Sequence, residues 1–289
     1  MSNDLVRNSQ HEDKRILTSS ELGKKSDYDD RYSPDKLFAI SRDGKRKEIN
    51  IDPADLPFYG FDRWNHYEVS WLNAKGKPVV ATAEMVYDCR SPNIVESKSL
   101  KLYFNSLNNT QFDSMSLVQE TIEKDLSNCV GSPVRVVITE LYQASSIILQ
   151  PGFSGINIDS LDISCDEYTV NPKLLSIGTV DVEETLVSDL LKSNCLVTNQ
   201  PDWGSVLIHY RGKQINHEAL LKYIVSFRNH NEFHEQCIER IFNDILIHCR
   251  PEILTVYGRY TRRGGLDINP YRSTEQKTPD SINTRLIRQ

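Results

Sequence analysis

Long apolar runs are missing from this chain of 289 residues. No stretch approaches the roughly 20 apolar residues that cross a membrane, and the N-terminal sequence MSNDLVRNSQHEDKR is too polar to form the core of a signal peptide. We therefore expect a soluble, cytoplasmic protein with no membrane partner. The hydrophobic content of 38% allows one large core, or two cores of roughly 100 to 150 residues each.

Paired cysteines and nucleotide-binding glycine motifs are also missing. The six cysteines are scattered, with no CxxC pair and no cysteine-histidine cluster at zinc-ligand spacing, so we expect neither disulfides nor a metal. Because GxGxxG and P-loop motifs are absent, any dinucleotide must bind without a Rossmann unit. A net charge of −6 argues against a nucleic-acid partner, although GRYTRRGGLDINPYR concentrates enough arginine to hold a phosphate group.

The first half of the chain contains one sequence of predicted elements. HYEVSWLN and VVATAEMVYD read as two strands around a turn at Gly76. SKSLKLYFNSLNN and SMSLVQETIEKDLSN follow as helices, the first with Ser97 as its predicted N-cap, and VRVVITELY returns as a strand. The apolar residues of the first helix recur at helical spacing: Leu100, Tyr103, Phe104 and Leu107.

The second half repeats that order. TLVSDLLKSNCLVT and WGSVLIHYRG are predicted strands, NHEALLKYIVSF and EFHEQCIERIFNDILIHC are predicted helices, and EILTVYGRYT is a strand. At a constant offset, LK at 100–101 matches LK at 221–222. The pattern predicts a duplicated α+β module. We expect an N-terminal extension over residues 1–50 and modules over residues 51–155 and 156–289.

The two halves differ at corresponding helix starts. The second half carries HE at 234–235 where the first carries DS at 113–114, and the first carries ESK at 96–98 where the second carries HEA at 217–219. Each half thus has polar residues that the other has lost. This complementary loss predicts one composite site that draws on both modules.

Cys195 is the first candidate for chemistry. It ends an apolar strand and leads into the polar turn TNQPDWG, in which Pro201 stiffens the chain before Asp202. A thiol beside a carboxylic acid can act as a nucleophile with a proton donor or base. The alternative is a small buried hydrophobic residue, because free cysteines are among the most buried residue types.

The helix starts carry further candidates, each with a structural alternative. His234 shares a stripe with three isoleucines, where a histidine is usually a core residue, and the adjacent Glu235 is placed to stabilise the helix N-terminus. Glu96, Ser97 and Lys98 open a helix that could bind a phosphate group through its N–H groups, or could be an ordinary solvated helix start.

Two segments carry a family resemblance. ESKSLKLY at 96–103 resembles, at every position, the signature of the 7-cyano-7-deazaguanine reductase family, and CLVTNQPDW at 195–203 resembles its catalytic cysteine segment. Similarity continues through WNHYEVSWLN, FHEQCIERIF and GRYTRRGGLDINPYR. The chain is most similar to the two-module branch. That branch implies two tandem tunnelling-fold modules, each an antiparallel sheet with two helices packed on one face, and a homodimer.

The resemblance also implies an activity and a set of site residues. The activity is NADPH-dependent reduction of the nitrile of 7-cyano-7-deazaguanine to the aminomethyl base, through a covalent thioimide, in queuosine biosynthesis. The implied catalytic residues are Cys195 as nucleophile, Asp202 as proton donor and His234. The implied substrate contacts are Val95, Glu96, Ser97, His234 and Glu235. The implied NADPH contacts are Ser97, Lys98, Arg263 and Gly264.

Other functions are compatible with the same residues. A cysteine hydrolase could use Cys195, His234 and Asp202, and would release ammonia without consuming NADPH. A non-catalytic purine-binding module would depend on Glu235 and not on Cys195. A zinc-dependent pterin-pathway enzyme of the same fold is disfavoured, because the required ligand spacing is missing.

Overall fold

The computed structural model describes residues 31–142, 149–279 and 285–289, which form two compact units. Unit 1 contains residues 31–48, 62–142 and 262–267, and unit 2 contains the other described residues. Residues 59–61 of unit 2 begin a strand that lies mainly in unit 1, and residues 266–267 of unit 1 begin a strand that lies mainly in unit 2. The first 30 residues of the predicted N-terminal extension lie outside the described residues, whereas residues 31–48 belong to unit 1. The predicted module boundaries at residues 50 and 155 remain predictions, because contacts and not duplication define these units.

Unit 1 follows the predicted order of two strands, two helices and a strand. Its elements are β1 (Ala39–Ser41), α1 (Asp43–Glu48), β2 (Tyr59–Leu72), β3 (Pro78–Asp88), β4 (Asn93–Val95), α2 (Ser97–Leu107), α3 (Met115–Val130) and β5 (Val134–Glu140). Strands β2, β3 and β5 are neighbours in the order β5-β3-β2, and α3 packs against β5. The turn between β2 and β3 contains Gly76 at φ +76°, a conformation that favours glycine.

The predicted apolar face of α2 forms part of the core of unit 1. Its four apolar residues are each no more than 1% exposed: Leu100, Tyr103, Phe104 and Leu107. Burying a side chain of this size contributes about 1.5–3 kcal/mol to stability. Helical spacing therefore identified the inward face of this helix correctly.

Unit 2 repeats the order with longer strands. Its elements are β6 (Leu149–Gln150), β7 (Ile156–Asn157), β8 (Ile177–Asn194), β9 (Pro201–Ile215), α4 (His217–Ser226), α5 (His234–Cys249), β10 (Ile253–Tyr260), β11 (Leu266–Ser273) and β12 (Arg285–Leu286). The strand order is β11-β10-β9-β8-β7, antiparallel except where β7 joins β8 in parallel. Helix α4 packs against β8 and α5 packs against β10.

Strand β11 was not predicted. Its sequence LDINPYRS alternates apolar and polar residues only over its first four positions, and Pro270 within it argues against a strand. The structure buries this strand along its whole length. Arg272 is accommodated because its guanidinium donates to Glu239 at 2.8 and 3.1 Å and to the Phe61 carbonyl at 3.1 Å. Arg272 is thus a buried charge whose hydrogen-bond partners lie within the protein.

Helix α5 packs closely on β10 at Gly258. A Cβ atom there would come within 2.6 Å of the Ile238 side chain, which would have to shift to accommodate any larger residue. The close packing brings the first turn of α5 against the end of β10. No helix among the described residues is long and apolar enough to cross a membrane.

Candidate active site

The turn that follows β8 carries Cys195, which is 5% exposed. The Cys195 N–H donates to the Gln200 carbonyl at 2.8 Å, and the Asn199 N–H donates to the Cys195 carbonyl at 3.1 Å. Asn199 adopts the left-handed conformation at φ +56°, which asparagine tolerates better than most residues. The backbone N–H and carbonyl of Cys195 are therefore both held by hydrogen bonds within the turn.

Three other cysteines are poor nucleophiles. Burial raises the pKa of Cys237 and of Cys249 to about 12, and that of Cys129 to about 11. At neutral pH these side chains remain thiols, whereas nucleophilic attack requires the thiolate. They do not compete with Cys195 for the role predicted from the sequence.

Strand pairing places Asp202 beside the end of β8 that leads into the turn with Cys195. Ser193 in β8 faces Asp202 in β9, and Asn194 faces Pro201. Directly paired residues share a face of the sheet, so Asp202 projects to the same side as Ser193, two residues before Cys195. Asp202 is 4% exposed. The predicted acid thus lies beside the turn that carries the predicted nucleophile.

His234 joins this group from the start of α5. Its Nε2 lies 3.4 Å from Asp202 Oδ2, and its ring centroid lies 4.0 Å from that of Tyr260. Burial raises the pKa of Tyr260 well above its usual value, and nearby Cys237, Asp202 and Glu235 raise it further. The phenol therefore stays protonated. A thiol, a carboxyl group and an imidazole together can add a nucleophile to an electrophilic carbon and move the accompanying proton.

Glu235 is buried at 2% exposure in the first turn of α5. Gln236, and not Glu235, makes the capping contact at this helix start. Its side-chain Oε1 accepts from the Phe233 N–H at 3.3 Å. The corresponding Ser114 in unit 1 is exposed and caps α3 by accepting from the Leu117 N–H at 3.2 Å. The two equivalent positions therefore have different surroundings.

In unit 1, Glu96 and not Ser97 is the N-cap of α2, so the capping prediction was wrong. The Glu96 carboxylate accepts from the N–H groups of Lys98 at 2.7 Å and Ser99 at 2.8 Å. Ser97 is already within the helix, whereas Glu96 has extended backbone and a side chain long enough to fold back. Burial raises the pKa of Glu96, although these N–H groups oppose that effect. Val95, the preceding residue, is 3% exposed and pairs with Ala39 of β1.

The arginine-rich segment of unit 1 lies against α2. Gly264 has φ +59°, and a Cβ there would come within 3.1 Å of the Lys101 side chain. Arg263 closes a short turn with Leu266 through two backbone hydrogen bonds of 2.9 and 3.1 Å. Lys98 and Ser97 are half-buried at the start of the same helix. Two segments that are distant in sequence thus place their cationic residues on one part of unit 1.

Sequence reasoning missed His66, which supports this segment. His66 is 2% exposed, and its Nδ1 lies 2.9 Å from the Gly265 carbonyl. Burial and the charge of Lys101 lower the pKa of His66 to about 4, although the hydrogen bond with the Gly265 carbonyl opposes this effect. The only available signal was a polar residue inside the predicted strand HYEVSWLN. Tyr260 was also missed, because tyrosine is common in strands and gives no signal of a functional role there.

Within residues 31–142, 149–279 and 285–289, no group of three or more His, Cys, Asp or Glu side chains is arranged to hold a metal ion.

Comparison with known proteins supplies independent information. A family model described as "Nitrile reductase, 7-cyano-7-deazaguanine-reductase N-term" matches residues 28–138, and one described as "QueF-like protein" matches residues 201–279. The chain is 65% identical over 274 residues to the NADPH-dependent 7-cyano-7-deazaguanine reductase of Legionella pneumophila (strain Lens), covering 95% of this chain and 96% of that protein. It is 55% identical over 273 residues to the enzyme of the same name from Dechloromonas aromatica (strain RCB), covering 94% and 95%.

Proposed function

The chain belongs to the family of NADPH-dependent 7-cyano-7-deazaguanine reductases, and on that basis we propose that it reduces the nitrile of 7-cyano-7-deazaguanine to an aminomethyl group, in queuosine biosynthesis. The observation that carries the proposal is the convergence of Asp202 and His234, 3.4 Å apart, beside the turn that carries Cys195. This convergence agrees with the roles that the family resemblance implies.

Cys195 begins the reaction as a nucleophile. Its thiolate sulfur attacks the nitrile carbon, a carbon–sulfur bond forms, and one π pair of the C≡N bond moves to nitrogen. Asp202, which pairs with Ser193 next to this turn, donates the proton that this nitrogen takes up. The product is a neutral thioimide on Cys195. The hydrogen bonds on both sides of the Cys195 backbone support this step, because they hold the residue in place before the attack.

Reducing the thioimide to the amine requires two electron pairs and the matching protons. NADPH, when bound, supplies each pair as a hydride, so two NADPH and two protons are consumed for each nitrile. The sulfur leaves after the first reduction, and an imine remains to be held and protonated. His234, 3.4 Å from Asp202, can exchange protons with that carboxyl group and present one to the nitrogen.

The residues of unit 1 fit a phosphate-bearing cofactor. Lys98 lies on the first turn of α2 and Lys101 lies on the next turn, and Gly264 lacks the Cβ that would crowd Lys101. Lysine and arginine cations and an unobstructed glycine suit the approach of phosphate groups. Lys98, Arg263 and Gly264 would hold NADPH, with Ser97 as a further contact. His66 supports the segment through Gly265.

The base would be recognised by buried carboxylates. Glu235, at 2% exposure, can accept two hydrogen bonds from the ring N–H and amino group of a guanine-like edge. Val95, Glu96 and Ser97 are the further substrate contacts that the resemblance implies. Glu96 retains lone pairs beyond those used by its own helix, since a carboxylate offers about four acceptor sites.

We also propose that the protein is a cytoplasmic homodimer. The resemblance implies the dimer, and the six free thiols suit the reducing conditions of the cytoplasm. Light scattering on the purified protein should give twice the mass of the 33.2 kDa chain. A mass of one chain at micromolar concentration would contradict the dimer.

One assay tests the proposed activity. The protein is incubated with 7-cyano-7-deazaguanine and NADPH, while NADPH absorbance and products are followed together. We expect two NADPH consumed per aminomethyl base formed, with no free ammonia. Ammonia release without NADPH oxidation would indicate a cysteine hydrolase, and binding without either change would indicate a purine-binding module.

A further inference from the structure

The chain that leads into α5 extends the end of β8. The Asn194 N–H donates to the His230 carbonyl at 2.7 Å, and the Glu232 N–H donates to the Asn194 carbonyl at 3.2 Å. Asn194 and Asn231 thus form a parallel bridge beside the nucleophile turn. This short pairing links the end of β8 to the three residues that precede Phe233.

The side chain of Asn231 joins the two ends of the nucleophile turn. Its Nδ2 donates to the Cys195 carbonyl at 3.2 Å and to Asn199 Oδ1 at 2.9 Å, while its Oδ1 accepts from Asn194 Nδ2 at 3.4 Å. Lys192 Nζ in turn donates to Asn194 Oδ1 at 2.6 Å. One directed chain of hydrogen bonds therefore runs from β8 through Asn231 to the carbonyl of Cys195.

Glu232 anchors this segment to α5. Its carboxylate accepts from Arg240 Nη2 at 2.6 Å and Nε at 3.0 Å, and lies 2.9 Å from His230 Nε2. Burial alone would raise the pKa of Glu232, but Arg240 and His230 hold it well below its usual range. A buried ion pair with this geometry is rigid. Asn231 is therefore held in fixed relation to the helix that begins at His234.

From these contacts we propose that Asn231 is a positioning residue for the nucleophile, acting through the backbone of Cys195. The inference rests on the proposed function, because it concerns the thioimide step. Asn231 does not need to touch the substrate. Its amide sets the orientation of the peptide plane that carries Cys195, and a small misplacement of a nucleophile slows attack more than it weakens binding.

Two substitutions at this residue test the inference. Asn231→Ala removes the amide, and Asn231→Asp keeps its size but turns acceptor oxygens toward the Cys195 carbonyl and Asn199 Oδ1. We expect thioimide formation, measured by stopped-flow absorbance without NADPH, to slow by about 10- to 100-fold in both. Affinity for the base, measured by calorimetry on a Cys195→Ala background, should change less than about twofold, because the contacts of Glu235 are untouched.

A matched control separates positioning from stability. Asn216 caps α4 in the same unit by accepting from the Ala219 N–H at 2.9 Å, away from the turn. Asn216→Ala should lower the melting temperature while leaving the rate of thioimide formation unchanged. Asn199→Gly is a milder variant at an exposed position, which keeps the left-handed conformation but removes one acceptor of Asn231. It should slow the step by about 3- to 10-fold.

The outcomes are distinguishable. Thioimide formation at the wild-type rate in Asn231→Asp and Asn199→Gly would overturn the inference and leave the proposed function intact. Equal losses of rate and of base affinity would assign Asn231 a general structural role, and would also overturn it. If the wild-type protein forms no thioimide, the proposed function fails and the inference fails with it. Slower thioimide formation with unchanged affinity supports the positioning role.

Discussion

Glu235 is predicted to be the carboxylate that recognises the base. It lies in the first turn of α5 at 2% exposure, and its counterpart Ser114 is exposed at the start of α3. The perturbation is Glu235→Ala, with Ser114→Ala as the matched control from the other unit. If the duplication left one recognition site, only the first substitution should weaken binding of the base.

The magnitude follows from what the truncation leaves behind. A guanine-like edge would lose two charge-assisted acceptors in a closed pocket, and each stranded donor costs about 1–3 kcal/mol. Two such donors together cost about 2–6 kcal/mol, and about 3 kcal/mol, in the lower part of this range, already corresponds to a roughly 100-fold loss of affinity at 1.4 kcal/mol for each factor of ten. The helix dipole contribution of an acidic residue in the first turn is smaller, about 0.3–1 kcal/mol of folding stability.

Calorimetric titration on a Cys195→Ala background measures this step, because no covalent bond can then form. The dissociation constant for 7-cyano-7-deazaguanine should rise by about 100-fold or more in Glu235→Ala and by less than about twofold in Ser114→Ala. Equal and small effects from both substitutions would refute the assignment, and would indicate that Glu235 only stabilises the start of α5.

Three further predictions concern other parts of the site. Asp202→Asn should slow thioimide formation by about 10²–10⁴-fold, measured by stopped-flow absorbance, because the amide cannot donate the proton; an unchanged rate would assign the proton to another donor. Lys98→Ala and Arg263→Ala should each raise the KM for NADPH while thioimide formation persists, and loss of the thioimide would contradict their assignment to the cofactor. The pKa of His66 lies at about 4 instead of 6.5, so protonation opposes folding between these values. Stability should be complete above pH 6.5 and should fall by about 3 kcal/mol toward pH 4, and His66→Phe should abolish that part of the fall in urea titrations.

Much of the fold could be predicted, because the buried apolar residues of a regular helix or strand recur with the period of that element. The apolar face of α2 was identified from residues three and four apart, and the hairpin from two strands around Gly76. Strand β11 escaped prediction because its burial depends on partners from elsewhere in the chain. The ion pair of Arg272 with Glu239 makes a charged residue compatible with the interior, and sequence alone gives no sign of that pairing.

The candidate site was predicted in part for similar reasons. Cys195 and Asp202 are close in sequence, so the turn between β8 and β9 is enough to place Asp202 beside the end of β8 that leads to Cys195. The contribution of Asn231 depends on a pairing between the end of β8 and a segment 36 residues away. An asparagine before a helix usually indicates a turn or a cap, and only the folded chain places this one beside Cys195.

The central claim is that Cys195 forms a covalent thioimide with the nitrile. Intact-protein mass spectrometry after incubation with 7-cyano-7-deazaguanine and no NADPH tests it most directly. The account predicts a mass increase of one base for each chain, located on Cys195 by peptide mapping, retained in Cys249→Ala and absent in Cys195→Ala. An adduct that persists in Cys195→Ala, or NADPH oxidation by that variant at a substantial fraction of the wild-type rate, would contradict the account.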